Sequence, residues 1–376
     1  MLNLEKIARI TREYIKSRFH PTTLFMHVAP TRKCNLRCEY CYQYDNGTDE
    51  MSLDSFKEII DNNYRLGLSI GAFTGGEPLI WKHLDEAIEY CTEKNIFTEL
   101  TTNGTLLSEY RIDRLKKAGL DYLMVSVDAV RKKSYSRKTV SDNPAIIGLL
   151  EYARSKGVIV SWNAVLTRDN YQDIYELIEI SKKERIPISI GIVVSPPNKE
   201  NKWDGDGLKL KDYPDSGLLK KIMERLKYYK DNNYPIIEPK RYFVDMERYL
   251  NGELKWDCSL AKARTIQVAP DSRVYWCSKL NSVSPYKANL LNKHQLHAFK
   301  EELTDIIKGC NQGCYSNCAY NGYYLQKHKF YFLMNTLPLF LRSLFANECM
   351  NSISGDKTVV NQAENLEELV RMRTNK

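Results

Sequence analysis

The sequence predicts an α/β fold built on a mainly parallel sheet. Three observations carry that prediction. Six short β-rich runs, 24–29, 68–73, 96–101, 121–127, 158–165 and 188–194, recur along the first half of the chain. Amphipathic stretches near 52–66, 82–94, 107–118, 143–156 and 170–184 separate them. Such alternation implies parallel strands joined by right-handed helical crossovers. Runs such as Tyr122-Leu123-Met124-Val125 are apolar on both alternating faces, as strands covered on both sides must be.

The elements follow in order. Leu4, Ile7, Ala8, Ile10, Tyr14 and Ile15 recur at helical spacing within 2–18, so a short amphipathic helix is expected to pack on the main domain. The first strand ends at Pro30 and runs into a loop. A helix near 216–229 closes the sixth unit. Residues 195–215, polar and rich in turn formers, form a long loop after the sixth strand, where it is placed to cover a substrate. Further on, 265–269 and 274–277 flank Pro270-Asp271-Ser272-Arg273, which reads as a hairpin. The apolar stretch 330–341, broken by Asn335 and Pro338, is too short and interrupted to span a membrane. It is expected to pack on the main domain, with a membrane-surface anchor through 330–341 as the alternative.

With 376 residues, 43% hydrophobic and 27% charged, the chain has the composition of a globular protein of two to three domains at about 150 residues each. Ten cysteines, mostly clustered, are too sparse for a secreted disulfide scaffold and point to intracellular metal binding. The charged N-terminus lacks an apolar signal core, so a cytoplasmic location is expected. The net charge of +8 raises nucleic acid as a partner. No nucleic-acid-binding motif accompanies the densest basic run, 131–138, so nucleic acid is not expected.

The chemistry begins at Cys34-Asn35-Leu36-Arg37-Cys38-Glu39-Tyr40-Cys41, a C-x₃-C-x₂-C loop. Three thiolates can hold three irons of a [4Fe–4S] cluster and leave the fourth open, whereas electron carriers use four cysteines. A zinc site would need a fourth ligand, and the next cysteine is Cys91. Inert buried thiols fit poorly beside Asn35, Arg37 and Glu39. The second strand ends in Thr74-Gly75-Gly76-Glu77-Pro78, the third in the turn Thr101-Thr102-Asn103-Gly104-Thr105, and the fourth in Ser126-Val127-Asp128. Asn163 is a polar residue on an otherwise apolar strand, facing either a site or a satisfied core position. A second cysteine field holds Cys258, Cys277, Cys310, Cys314 and Cys318, with Cys349 unassigned beyond it.

With Tyr40 before its last cysteine, the loop resembles the signature of the radical S-adenosylmethionine (radical SAM) enzymes. The resemblance implies a partial (β/α)₆ TIM-like barrel with its chemistry at the C-terminal strand ends, where barrels place their sites. It implies a [4Fe–4S] cluster on Cys34, Cys38 and Cys41, with SAM chelating the open iron. Reductive cleavage would give a 5′-deoxyadenosyl radical that abstracts hydrogen from a peptide or small-metabolite substrate. Thr74–Pro78 resembles the family's GGEP motif and Ser126–Asp128 its Ser-x-Asp element, with Ala129 where glycine is usual. Tyr40, Gly75, Gly76, Glu77, Ser126, Asp128, Asn163 and Arg137 are thus expected to line SAM, with Lys133 and Lys138 competing for the role of Arg137.

The region from Cys258 resembles the family's SPASM and twitch extensions, with Ser272 where a hairpin glycine is usual. It implies a small cysteine-rich β-hairpin/α domain with one auxiliary [4Fe–4S] cluster on Cys258, Cys277, Cys310 and either Cys314 or Cys318. A zinc knuckle is the alternative there. The implied domains are an N-terminal helix (1–20), a radical SAM core (21–235), the auxiliary-cluster domain (236–325) and a helical tail (326–376). A reductant such as flavodoxin or ferredoxin is the implied partner. The rival reading, a non-catalytic zinc- or nucleic-acid-binding protein, gives no reason for the motifs at the strand ends.

Overall fold

A computed structural model describes residues 4–17, 19–193, 208–210, 216–254, 258, 264–277, 282–309 and 315. The apolar stretch 330–341, most of the 195–215 loop, and Cys310, Cys314, Cys318 and Cys349 lie outside the described residues.

The six anticipated strands form as β1 (Phe25–Val28), β2 (Ile70–Phe73), β3 (Phe97–Thr102), β4 (Tyr122–Ser126), β5 (Ile159–Leu166) and β6 (Ile188–Ile192). They pair in parallel and in chain order. The connecting helices are α2 (Leu53–Arg65), α3 (Leu84–Glu93), α4 (Glu109–Ala118), α5 (Ile146–Ser155) and α6 (Tyr171–Glu184), with α7 (Ser216–Asp231) after β6. Local chemistry sets several of these boundaries. Ser52 and Ser108 each accept a backbone N–H in the first turns of α2 and α4. Gly119 closes α4 at φ +100°, a left-handed cap that suits glycine.

Successive side chains of the strands turn to opposite faces of the sheet. Met26, Val28, Leu100, Leu123, Val125, Val160, Trp162 and Ala164 are buried against the helices in one continuous core. The residues between them, such as His27, Glu99, Thr101, Met124 and Asn163, are only partly buried. These point into the lumen of the partial barrel. Closed eight-stranded barrels fill that space with packed side chains; here the lumen wall is accessible.

The hairpin forms as β7 (Thr265–Val268) and β8 (Arg273–Cys277), followed by β9 (Ser282–Lys287). It is continuous with the barrel. β7 pairs in parallel with β1, Phe25 opposite Thr265, so one nine-stranded sheet runs β6-β5-β4-β3-β2-β1-β7-β8-β9. Ser272 in the turn has φ +68°, the left-handed geometry that explains why glycine is usual there. Two further helices, α8 (Lys240–Leu250) and α9 (Lys293–Lys308), complete the described residues.

The N-terminal helix α1 (Leu4–Lys16) forms as expected but docks by a different face. Leu4 and Ile15 are 76% and 56% exposed, while Lys6, Arg9, Ile10 and Glu13 are buried. The reason lies in what α1 meets. Arg9 donates to the Leu68 carbonyl at 2.7 Å, and Lys6 Nζ lies 2.6 Å from Asp121 Oδ2. Strand ends present carbonyls and an acid, which demand cations. Replacing Lys6 with Met is therefore expected to cost about 3 kcal/mol, because Asp121 keeps its buried charge without a counterion. Urea unfolding of both proteins measures the difference, and a loss below about 1 kcal/mol would show the pair to be solvent-screened.

Candidate active site

The thiol loop leaves β1 at Pro30 and returns at Met51, whose N–H donates to the Pro30 carbonyl at 2.8 Å. Within it, Asp45 N–H donates to Arg32 O at 2.8 Å and Cys41 N–H to Cys38 O at 2.9 Å. Leu36, Cys38, Tyr40 and Tyr42 pack with Tyr135, Val193 and Leu208 into a small cluster separate from the main core, and Cys34 and Cys41 rest against it. The three thiols therefore share one apolar patch. Burial pushes the Cys34 thiol up to about 11 and raises that of Cys38 as well. Their mutual repulsion adds to the effect. Such thiols ionise only when a metal takes the proton's place.

The Gly-Gly-Glu-Pro turn clamps this loop. Gly76 N–H donates to Thr31 O at 3.0 Å, and Glu77 N–H donates to Lys33 O at 2.8 Å. A Cβ on Gly76 would lie 2.1 Å from the Lys33 carbonyl oxygen and 2.5 Å from that of Arg32. Gly75 sits at φ +119°, with Thr31 O 2.5 Å from its would-be Cβ. The glycines thus admit the backbone just before Cys34, a close approach expected of a ligand but made here by the loop itself. Glu77 is fully buried. Its carboxylate accepts from Thr102 Oγ1 at 2.6 Å, Asn103 N at 2.8 Å and Leu79 N at 3.1 Å, the last opening the short 3₁₀ turn Pro78–Ile80. Burial raises its pKa and those three donors oppose the rise.

Asn103 carries the clamp to the thiols. Its side chain donates to Asn35 Oδ1 at 2.8 Å and lies 3.9 Å from Cys34 Sγ. Read from the sequence, Asn103-Gly104 is only a turn.

Asp128 forms a second hub, completely buried at the end of β4. One carboxylate oxygen accepts from Tyr40 and Ser136, the latter at 2.8 Å, and lies 3.4 Å from Lys138 Nζ. The other accepts from Val165 N–H at 3.1 Å. Ser136 also stands 3.7 Å from Cys38 Sγ. Lys138 lies 4.9 Å from the centroid of the Tyr40 ring, and its pKa is raised as the Asp128 charge and the nearby thiols overcome desolvation. Arg137 is exposed. It is Lys138 that joins the hub.

Ser126 and Asn163 are register partners at the same strand ends, with Asn163 on the lumen face. The structure thus gathers Cys34, Cys38, Cys41, Tyr40, Gly75, Gly76, Glu77, Ser126, Asp128 and Asn163 at one end of the sheet. Tyr40, Glu77 and Asp128 have polar atoms committed within the protein, so they bear on the site through the loop they hold. Cys258 and Cys277 are partly buried in the second field. Among the described residues, no three His, Cys, Asp or Glu side chains gather round a single ion position.

Residues 28–204 match the sequence profile of the radical SAM superfamily. The chain belongs to that superfamily. It is 28% identical over 214 residues to the Fe-coproporphyrin III synthase of Methanosarcina barkeri, covering 54% of this chain and 52% of that protein. It is 26% identical over 298 residues to the GTP 3′,8-cyclase of Clostridium perfringens, covering 76% and 88%. To the PqqA peptide cyclase of Granulibacter bethesdensis it is 29% identical over 166 residues, covering 40% and 42%. The chain therefore spans about half the length of the first of these relatives. The crystal structure of anSMEcpe with bound AdoMet and the Cp18Cys peptide shares the fold, with a TM-score of 0.57 at 17% identity, covering 85% of this chain and 98% of that one.

Radical SAM enzymes use a [4Fe–4S] cluster and SAM, and the residues of this loop suit that pair. Three soft donors sit in one apolar patch where free thiolates are disfavoured, while N–H groups of Leu36 and Asn103 approach Cys34. Among the described residues, no helix is long and apolar enough to cross a membrane.

Proposed function

We propose that this chain takes hydrogen from a peptide or small-metabolite substrate in the cytoplasm, using electrons from a flavodoxin- or ferredoxin-like reductant. Cys34, Cys38 and Cys41 would hold the cluster. The polar backbone of Gly75–Glu77, with Ser126 and Asn163, would line SAM. When bound, the cluster supplies one electron for the reductive cleavage of SAM, which furnishes the 5′-deoxyadenosyl radical. The protein's own part is to hold the thiol loop from two sides, through Glu77 and Asp128, and to keep the patch around it dry. The names of relatives, a GTP cyclase, a peptide cyclase and a synthase of Fe-coproporphyrin III, support both substrate classes.

The observation that carries this reading is the convergence of the two buried carboxylate hubs on the three-thiol loop. Anaerobically purified protein is expected to be brown, with iron and sulfide, and to cleave SAM when reduced by dithionite. Cys38→Ala is expected to abolish cleavage. Colourless protein with stoichiometric zinc would end the reading in favour of a zinc-binding protein.

An auxiliary cluster on Cys258, Cys277, Cys310 and one of Cys314 or Cys318 belongs to the same proposal, within a 236–325 domain after the 21–235 core. A Cys258→Ala, Cys277→Ala protein is expected to lose about half its iron, one cluster of two. Full retention of iron would show that the second field carries no cluster.

A further inference from the structure

Among the described residues, the deep carboxylates at the strand ends hold donors, and Glu99 stands apart from them. Glu77 and Asp128 accept the donors described above, Glu238 accepts from Ser189 Oγ and Ile190 N–H, and Asp121 takes Lys6 and Thr98. Glu99, midway along β3, makes no hydrogen bond or ion pair with any described residue. The strand's alternation explains where it points. Thr98 and Leu100 turn to the helix side, where Thr98 Oγ1 donates to Asp121 at 3.1 Å and Leu100 joins the core. Glu99 therefore faces the lumen.

Its neighbours there cannot satisfy it. Its register partner on β2 is Ala72, which offers only a methyl group, and that on β4 is Tyr122. The Tyr122 hydroxyl is engaged with Ser161 Oγ at 2.6 Å. Glu99 lies deep in the protein yet keeps partial contact with the open lumen, so a ligand can reach it. A carboxyl set this deep with no protein donor is poorly solvated, and strongly perturbed groups of that kind gather at functional sites. Burial alone moves it from about 4.5 up to about 7.

Charge narrows the ligand. On β1–β7 no lysine or arginine occupies a lumen-facing position. The ionisable groups sharing this wall are His27 on β1, Tyr122 on β4 and Glu238 beyond Tyr122. Lys230, beside Glu238, already donates to the Ile236 carbonyl, so among the described residues the strands themselves offer a phosphate-bearing group no cation, whereas a nitrogen cation finds an uncommitted carboxylate in Glu99. We infer that Glu99 is the substrate-recognition carboxylate of the lumen and takes a cationic nitrogen group, an amine or guanidine. The inference rests on the radical SAM reading of the mouth above it and specifies the substrate class for that site.

The test uses the full-length, cluster-bearing protein at pH 8, with binding read by ligand-observed NMR. Benzylammonium and benzamidinium are the probes and benzyl alcohol the neutral reference. Wild type is expected to prefer the cations by about tenfold. Glu99→Gln is expected to lose that preference and Glu99→Asp to keep part of it. A preference that survives in Glu99→Gln, or none in wild type, overturns the assignment.

Thermal unfolding supplies a second readout. The folded carboxyl holds its proton more tightly than the unfolded one, so wild-type stability falls as pH rises from about 4.5 through about 7. Glu99→Gln lacks this loss and is expected to melt above wild type at pH 8 and level with it at pH 4. A variant that melts no higher at pH 8 means that Glu99 has a partner, and the inference fails. Neither measurement needs turnover. Their failure leaves the thiol-loop reading intact, while absence of iron and SAM cleavage in wild type sinks that reading alone.

Discussion

Gly76→Ala is expected to purify with less than about a tenth of the wild-type iron. The added Cβ would stand 2.1 Å from the Lys33 carbonyl oxygen and 2.6 Å from the Arg32 carbonyl carbon, inside any tolerable contact. Both are backbone atoms, which cannot swing aside as a side-chain end can, so overpacking here costs about 3 kcal/mol or more. The atoms that must move belong to the two residues immediately before Cys34, and Gly76 and Glu77 lose their bonds to Thr31 and Lys33 with them. Gly148→Ala is the matched control. It lies on the exposed face of α5 with nothing within 4 Å of its would-be Cβ, and is expected to gain up to about 1 kcal/mol. Iron per chain and a denaturant midpoint decide between the two possible roles of Gly76. Full iron with weakened SAM affinity would mean that the glycine serves the ligand and not the loop.

The contrast between these glycines shows what was legible in the sequence. Alternating apolar runs locate all six barrel strands and their helices to within a few residues, because a parallel sheet buried on both faces leaves a strong local pattern. The order of the motifs, each at a strand end, places the site. The direction in which buried polar atoms point is a tertiary fact, and there the local pattern is silent. Glu77 and Asp128 read as ligand contacts until Thr102, Asn103, Ser136 and Lys138 are seen closing around them. Asn103 looks like a turn signal because its link to Asn35 spans 68 residues. The docking face of α1 was misleading for a related reason: hydrophobic spacing marks a helix, but the surface it meets is made of carbonyls and Asp121. α8, β9 and α9 were not anticipated, although the capping box of Asn292 and Gln295 marks the start of α9 plainly.

Two hubs of like design flank the thiol loop, and they differ in one respect. Glu77 is surrounded by neutral donors, whereas Asp128 has a cation among its partners. A charge at the second hub is therefore balanced locally by Lys138, which faces the Tyr40 ring as well. That balance makes the Asp128 hub the more sensitive of the two to a change of charge without change of shape.

Asp128→Asn is accordingly expected to be severe despite its near-identical shape. All four groups that face the carboxylate are donors: the Tyr40 and Ser136 hydroxyls, the Lys138 ammonium and the Val165 N–H. An amide presents one acceptor oxygen and one NH₂, so at least one donor must confront another donor in a completely buried setting. Lys138 also loses its counterion. Together these cost about 3 kcal/mol or more. Ser136→Ala removes a single donor, leaves the carboxylate three others, and is expected to cost about 1 kcal/mol. Lys138→Met strips the cation from a buried charge and should fall between them, while the Asp128→Asn, Lys138→Met double variant should recover part of the sum, as coupled groups do. Because Tyr40 stands between Cys38 and Cys41, release of its hydroxyl frees the middle of the thiol loop. Iron content is thus expected to fall in step with stability across the series. The competing assignment, in which Asp128 touches SAM directly, predicts the reverse order: raised SAM dissociation constants in protein that keeps its iron and its unfolding midpoint. Measuring iron, midpoint and SAM affinity on the same four variants separates the two outcomes.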